Sequence, residues 1–284
     1  MKNPKRKVDI LVISDVHLGT YGCRAKELLH YLKSVKPGKV ILNGDIVDVW
    51  QFSKRFWPNS HMKVVKHILS WISKGIPVYY ITGNHDEMMR KFAGTRFGSM
   101  QIVNQLVLTL PEGKQAWFFH GDVFDITMKH ARWLVRAGAI GYDALIMLNS
   151  LMNYISERVL RRGRISLSKR IKQSVKHAVS YLNQFETSAA EMGIMNGYDY
   201  IICGHIHQPQ QKKMIVDNQE ITYLNSGDWI EHCSALEYKN GEWQVYLFSA
   251  SDREAMHAGN DIDTLPQNSA LYLSLIKEFK IKSV

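Results

Sequence analysis

Five short polar clusters, each closing an apolar run, constrain this chain more than any other feature. Asp15-Val16-His17 follows Val8–Ile13, and Gly44-Asp45 follows Val40–Leu42. Gly83-Asn84-His85-Asp86 follows Val78–Ile81, His120-Gly121-Asp122 follows Ala116–Phe119, and Gly204-His205-Ile206-His207 follows Tyr200–Cys203. Between the first three runs, Arg24–Val35 and His61–Ile72 carry apolar residues at helical spacing, stopped by Pro37-Gly38 and by Gly75 and Pro77. The pattern is βαβαβ. In such a fold the strands run parallel and ligands collect beyond their carboxyl ends, so clusters scattered in sequence can meet in space.

Further strands are expected at Ile102–Leu110, Lys213–Val216, Ile221–Leu224, Ser234–Tyr238 and Trp243–Phe248. Residues 1–125 and 196–250 therefore read as one α/β core. Residues 126–195 read as a helical insertion with a break at Arg162-Gly163-Arg164, far longer than an ordinary connection. Residues 251–284 form a polar tail, patterned only at a short helix expected over Ala270–Phe279. The insertion holds eleven basic residues against four acidic ones, most of the chain's net charge of +10. Charge so concentrated favours an anionic partner over a generally solvated surface. No apolar run approaches the roughly 18–20 residues of a bilayer span. The basic start MKNPKRK precedes a short apolar stretch that contains Asp9 and lacks a small-residue cleavage site, so it reads as a strand and not a signal peptide. Cys23, Cys203 and Cys233 have no framework spacing, as expected of free thiols in a reducing cytoplasm.

The clusters supply two carboxylates (Asp15, Asp45), one amide (Asn84) and four imidazoles (His17, His120, His205, His207) beside His85. This mixed oxygen and nitrogen set, without a thiolate, suits Mn²⁺ first, with Fe²⁺ or Zn²⁺ as alternatives, and not a zinc finger. Seven donors exceed what one ion with an open position needs; they suit two divalent metal ions about 3.5–4 Å apart that share a carboxylate. The order D-x-H, GD, GNHD, HGD, GHxH resembles the calcineurin-like metallophosphoesterases over residues 8 to about 225. The resemblance implies a layered αββα sandwich with a helical lid insertion. It implies Asp15, His17, Asp45 and His207 around the first ion, and Asp45, Asn84, His120 and His205 around the second. It also implies that His85 is not a ligand but faces the phosphoryl group and the leaving oxygen, with Asp48 orienting it.

That superfamily spans many substrates, so the insertion carries the discriminating signal. Apolar residues from Trp133 to Ile155 precede a strongly basic stretch, RVLRRGRISLSKRIKQSVK, an arrangement suited to a membrane surface or an amphiphilic anion. It is similar to the UDP-2,3-diacylglucosamine hydrolases of lipid A synthesis, which place a helical lid after the HGD block. This similarity implies cleavage of the substrate pyrophosphate to UMP and 2,3-diacylglucosamine 1-phosphate. It further implies an amphiphilic nucleotide-sugar lipid as partner, and a cytoplasmic protein peripherally attached to the inner membrane. Arg164, Lys169, Lys172 and Lys176 are the candidate substrate-binding residues, the three lysines sharing one helix face. One position departs from the well-known branch, which has arginine where this chain has His85. The alternatives are action on a nucleotide or nucleic-acid phosphodiester, a binding scaffold that has lost catalysis, and use of the insertion for homodimerisation. The basic stretch lacks the aromatic interleaving of single-strand binders, which argues against nucleic acid. All seven ligand positions are filled, which argues against the scaffold.

Overall fold

In the computed structural model, which describes residues 5–50, 56–125 and 168–258, two mixed sheets lie face to face with helices outside both. The elements are β1 (Arg6–Ile13), α1 (Ala25–Ser34), β2 (Val35–Asn43), α2 (Asn59–Ser73), β3 (Val78–Ile81), β4 (Arg96–Phe97), β5 (Met100–Val103), β6 (Gln105–Thr109) and β7 (Gln115–Phe119). They continue with α3 (Ser168–Met195), β8 (Tyr200–Cys203), β9 (Gln210–Val216), β10 (Gln219–Asn225), β11 (Ser234–Lys239), β12 (Glu242–Leu247) and α4 (Ala250–Ala258). One sheet has the order β12-β11-β1-β2-β3-β5-β4, the other β6-β7-β8-β10-β9. Strands β1, β2, β3 and β5 are parallel in the first sheet, as are β7, β8 and β10 in the second.

Alternation within the strands explains the layers. In β1, Leu11 and Ile13 point to a cluster with Leu28 and Leu32 of α1 and Val64 and Ile68 of α2, whereas Ile10 and Val12 point between the sheets. Val40 and Leu42 of β2 follow the helical side and Ile41 the inner side, so the strands are apolar on both faces and read as continuous runs. Ala116 and Phe118 of β7 complete the inter-sheet core. Trp117 and Phe119 face outward and are covered by Phe185, Ala189 and Ala190 of α3. The chain is thus a four-layer αββα sandwich.

Four features differ from the sequence expectations. The run expected as one strand over Ile102–Leu110 is two, in different sheets, divided at Asn104. Val103 packs toward the inter-sheet core, and so do Leu106 and Leu108; the three-residue step from 103 to 106 breaks the period of two. Strand β2 is longer than Val40–Leu42: it begins at Val35, directly after α1, and passes through Pro37-Gly38, with Pro37 opposite Val8. The end of the stretch read as an insertion packs on the core: Phe185, Ala189 and Ala190 are fully buried as the sandwich's outer layer. After Ser249 the chain forms α4, whose Met256 packs against the α1/α2 side. Its start is a reciprocal cap, Ser249 N–H donating to Asp252 Oδ2 at 2.8 Å and Asp252 N–H to Ser249 Oγ at 3.2 Å. The helix expected at 270–279 and residues 126–167, including Arg164, lie outside the described residues. Lys169, Lys172 and Lys176 lie on α3.

Candidate metal centre

The loops after β1, β2, β3, β7 and β8 converge at one edge of the sandwich. Amides of Asp15, Val16 and His17 donate to the carbonyls of Gly44, Asp45 and Asp45, joining the first two clusters. Asp15, His17, Asp45, His205 and His207 all have positive φ, between 50° and 65°. Five side-chain-bearing residues in the left-handed region within one site mark stored backbone strain, tolerated where the surroundings over-determine the geometry. Two glycines answer to close approach. A Cβ on Gly83 would collide with Asp45 Oδ1, and one on Gly204 with Asp15 Oδ2.

Hydrogen bonds then aim the rings. His120 Nδ1 lies 2.9 Å from the carbonyl oxygen of Asn43. A carbonyl only accepts, so Nδ1 carries a proton and Nε2 is left to face Asp45 Oδ2 at 3.2 Å. His17 turns Nδ1 to Asp48 Oδ2 at 3.4 Å and Nε2 toward Asp45 Oδ2 at 3.9 Å. His207 turns Nε2 to Asp15 Oδ1 at 3.2 Å. The Asp15 carboxylate accepts the backbone N–H of His205, at 3.0 Å from Oδ2, and Asp45 Oδ1 accepts that of His85 at 2.8 Å.

Ligand-capable atoms of Asp15, His17 and His207 lie within 4.8 Å of one another, and so do those of Asp45, His120 and His205. Nε2 of His17, Nε2 of His120 and Oδ1 of Asn84 are buried with no hydrogen-bond partner. Buried ring nitrogens and an amide oxygen gathered beside carboxylates are costly in a protein interior unless protons or cations take them. The donor set therefore fits a pair of divalent ions, which these residues would hold.

Protonation states show the same demand for positive charge. Burial opposes charge on His120, but Asp45 and Asp15 outweigh it and raise its pKa well above the imidazole range. Burial also opposes charge on His207, yet Asp15 and Asp228 push it up to about 10. Asp15 and Asp45 are held below the usual carboxylate range, because neighbouring imidazoles overcome the opposing effect of burial. An incoming cation must displace those imidazole protons. Divalent-ion affinity is thus expected to rise from pH 6 to pH 8, by about tenfold per pH unit for each proton displaced. Mn²⁺ titration of the metal-free protein across that range checks this; a flat profile would remove the imidazoles from the ligand set.

A third group, His17, Asp48 and His85, shares the edge. Asp48 Oδ2 accepts Nδ1–H of His85 at 2.8 Å and also lies 3.4 Å from His17 Nδ1, so one carboxylate orients both rings. The His85 ring stands edge-on to His17 and beneath Trp50, both 4.6 Å away between centroids. Trp50 was not singled out in sequence, because an aromatic after GDIVD looks like any loop residue. Asp86 and Asp122 belong to the clusters by position but serve the scaffold. Asp86 accepts from Gly83 N–H, Ile46 N–H and the Tyr80 hydroxyl, and Asp122 pairs with Arg90.

Such a sandwich, with imidazoles and carboxylates at its strand ends, defines a metal-dependent hydrolase of phosphate esters or anhydrides. The chain belongs to the calcineurin-like phosphoesterase family, whose model matches residues 8–209 and whose members use a pair of divalent metal ions. It is similar to UDP-2,3-diacylglucosamine hydrolases of several bacteria. That of Blochmanniella floridana is 26% identical over 256 residues, covering 85% of this chain and 98% of the relative. That of Stenotrophomonas maltophilia (strain K279a) is 25% identical over 244 residues, 83% and 96% of the two chains. That of Blochmanniella pennsylvanica (strain BPEN) is 22% identical over 241 residues, 81% and 92%. Among solved structures, the phosphoesterase Yfce from E. coli matches at a TM-score of 0.42 with 12% identity, covering 84% of this chain and 93% of that one.

Proposed function

We propose that this chain hydrolyses the pyrophosphate of UDP-2,3-diacylglucosamine, releasing UMP and 2,3-diacylglucosamine 1-phosphate. The observation that carries the reading is the extent of the likeness. Relatives bearing that name align over 81–85% of this chain and 92–98% of their own length, so the match extends beyond the phosphoesterase core motifs. The family's ions, Mn²⁺ in this proposal, supply an activated water and offset phosphoryl charge when bound. Asp15, His17, Asp45 and His207 would hold one; Asp45, Asn84, His120 and His205 would hold the other. His85, its Nδ1 proton fixed on Asp48, offers Nε2 to the oxygen that leaves phosphorus, as a proton donor or as a positive charge beside it.

The substrate is amphiphilic, and in this reading it is met at the inner face of the cytoplasmic membrane. No helix among the described residues is long and apolar enough to cross a bilayer, so attachment would be peripheral. The lysines on α3 supply the anion contact. Charge reversal at Lys169 and Lys176 is expected to raise KM for the lipid substrate severalfold while leaving that for a small chromogenic diester unchanged; equal effects on both would remove the contact. The reading itself is tested by incubating the Mn²⁺-loaded protein with UDP-2,3-diacylglucosamine in ¹⁸O-labelled water and identifying products by mass spectrometry. UMP and the lipid monophosphate, one of them labelled, are expected. Turnover of diesters or single-stranded nucleic acid without turnover of this substrate would overturn it.

A further inference from the structure

Asp228, in the turn after β10, was not among the candidate site residues, yet its carboxylate lies against the imidazole of His207. The residue is fully buried. Its Oδ1 accepts three backbone N–H groups, from Ile230 at 3.1 Å, Glu231 at 2.8 Å and His232 at 2.9 Å. That leaves Oδ2 in a fixed direction, 3.4 Å from His207 Nδ1 and 3.2 Å from His232 Nδ1. The turn is tied to the site by its backbone as well, since Trp229 N–H donates to the Asp15 carbonyl at 3.1 Å. His207 therefore stands between two carboxylates, with Asp15 Oδ1 3.2 Å from Nε2 on the other side.

We infer that Asp228 is a positioning residue for the metal centre. It holds the proton of His207 on Nδ1, so that Nε2 presents its lone pair beside Asp15. The inference rests on the reading of His207 as a ligand and adds the group that selects its tautomer. An ionised carboxylate only accepts, so the Nδ1–H form is the neutral tautomer it stabilises. Ligating imidazoles commonly depend on such a partner for both ring orientation and basicity.

Asp228→Asn separates this role from a structural one. The three amides at Oδ1 require an oxygen there, so the backbone cap selects the amide orientation that puts NH₂ where Oδ2 was. That group donates, so it opposes a proton on His207 Nδ1 and favours the tautomer with Nε2 protonated and unable to bind an ion. The fold-holding contacts of Oδ1 survive the change. One of the two ions is expected to bind about 10–100-fold more weakly, with a thermal midpoint close to that of the unaltered protein when both are metal-free. His232→Ala, which removes the other ring on Oδ2, is expected to leave both affinities unchanged.

The tests are calorimetric titration with Mn²⁺ and, on the unaltered Zn²⁺-loaded protein, ¹⁵N-histidine NMR of the His207 ring. The spectrum should show an Nδ1-bound proton, slow to exchange, with Nε2 ligated. Wild-type affinities for both ions in Asp228→Asn, alongside loss of one ion in His207→Ala, would overturn the inference while leaving the ligand assignment intact. So would a His207 ring ligated through Nδ1. If His207→Ala itself keeps both ions, the ligand assignment fails, and the positioning role with it.

Discussion

Replacing Asp45 with alanine is expected to strip the centre of metal and to lower turnover by more than about 10³-fold. The magnitude follows from where its two oxygens go. Oδ1 accepts the backbone N–H of His85 at 2.8 Å, which ties the loop after β3 to the loop after β2. Oδ2 lies 3.2 Å from His120 Nε2 and 3.9 Å from His17 Nε2, so a ring from each of the two ligand-capable groups approaches the same carboxylate oxygen. Losing an outer partner of a ligand costs about 10–100-fold in affinity or activity; losing Asp45, which the proposed assignment shares between both ions, should cost more, because neither site would be complete without it. Asp45→Asn refines the test. Its amide oxygen can still accept from His85, while the negative charge that holds His120 and His17 is gone. Metal content by mass spectrometry and turnover of a simple diester should fall together in both variants. Near-normal turnover in Asp45→Ala would remove the shared-ligand assignment.

The seven proposed donors stand out in the sequence because metal chemistry confines them to a few residue types at strand ends, after largely apolar runs. It reveals less about what aims those donors. His120 is oriented by the main-chain carbonyl of Asn43, which no side-chain pattern encodes. Asp228 lies 21 positions beyond His207, across the β9–β10 hairpin, in a Gly-Asp dipeptide that reads as an ordinary turn. The dual use of Asp48 is invisible for the same reason, since His17 and His85 approach it from different loops. In the fold, alternation located the strands but not the change of sheet at Asn104, where one extra residue shifts the phase. Helix α4 did leave a signal, Ser249 three residues before Asp252, but the capping pattern precedes too few apolar residues to stand out. The C-terminal part of α3 was hidden inside a basic insertion, although Phe185 and Ala189, and again Ala190 and Ile194, keep the four-residue spacing of a buried helical face.

His85→Ala is expected to slow the chemical step by about 10²–10⁴-fold, the range for removal of a general acid or base, while both ions stay bound. The separation of effects comes from geometry. His85 Nδ1 is engaged by Asp48 at 2.8 Å, and its ring is part-exposed at the mouth of the site beneath Trp50, whereas His17 and His120 are buried against Asp45. Leaving groups of different basicity then distinguish its two available roles. If His85 Nε2 donates a proton to the departing oxygen, the loss should shrink toward unity as that oxygen becomes a weak base, because such a group departs without help. If the imidazolium acts as a fixed positive charge, the loss should be similar across the series. Asp48→Asn is expected to be the more damaging of the two changes. It disturbs His85 and, through the 3.4 Å contact to Nδ1, also His17, so metal affinity should fall with turnover. A variant of Asp48 that slows turnover but binds both ions normally would confine its role to His85, and equal metal loss in His85→Ala would show instead that His85 is itself a ligand.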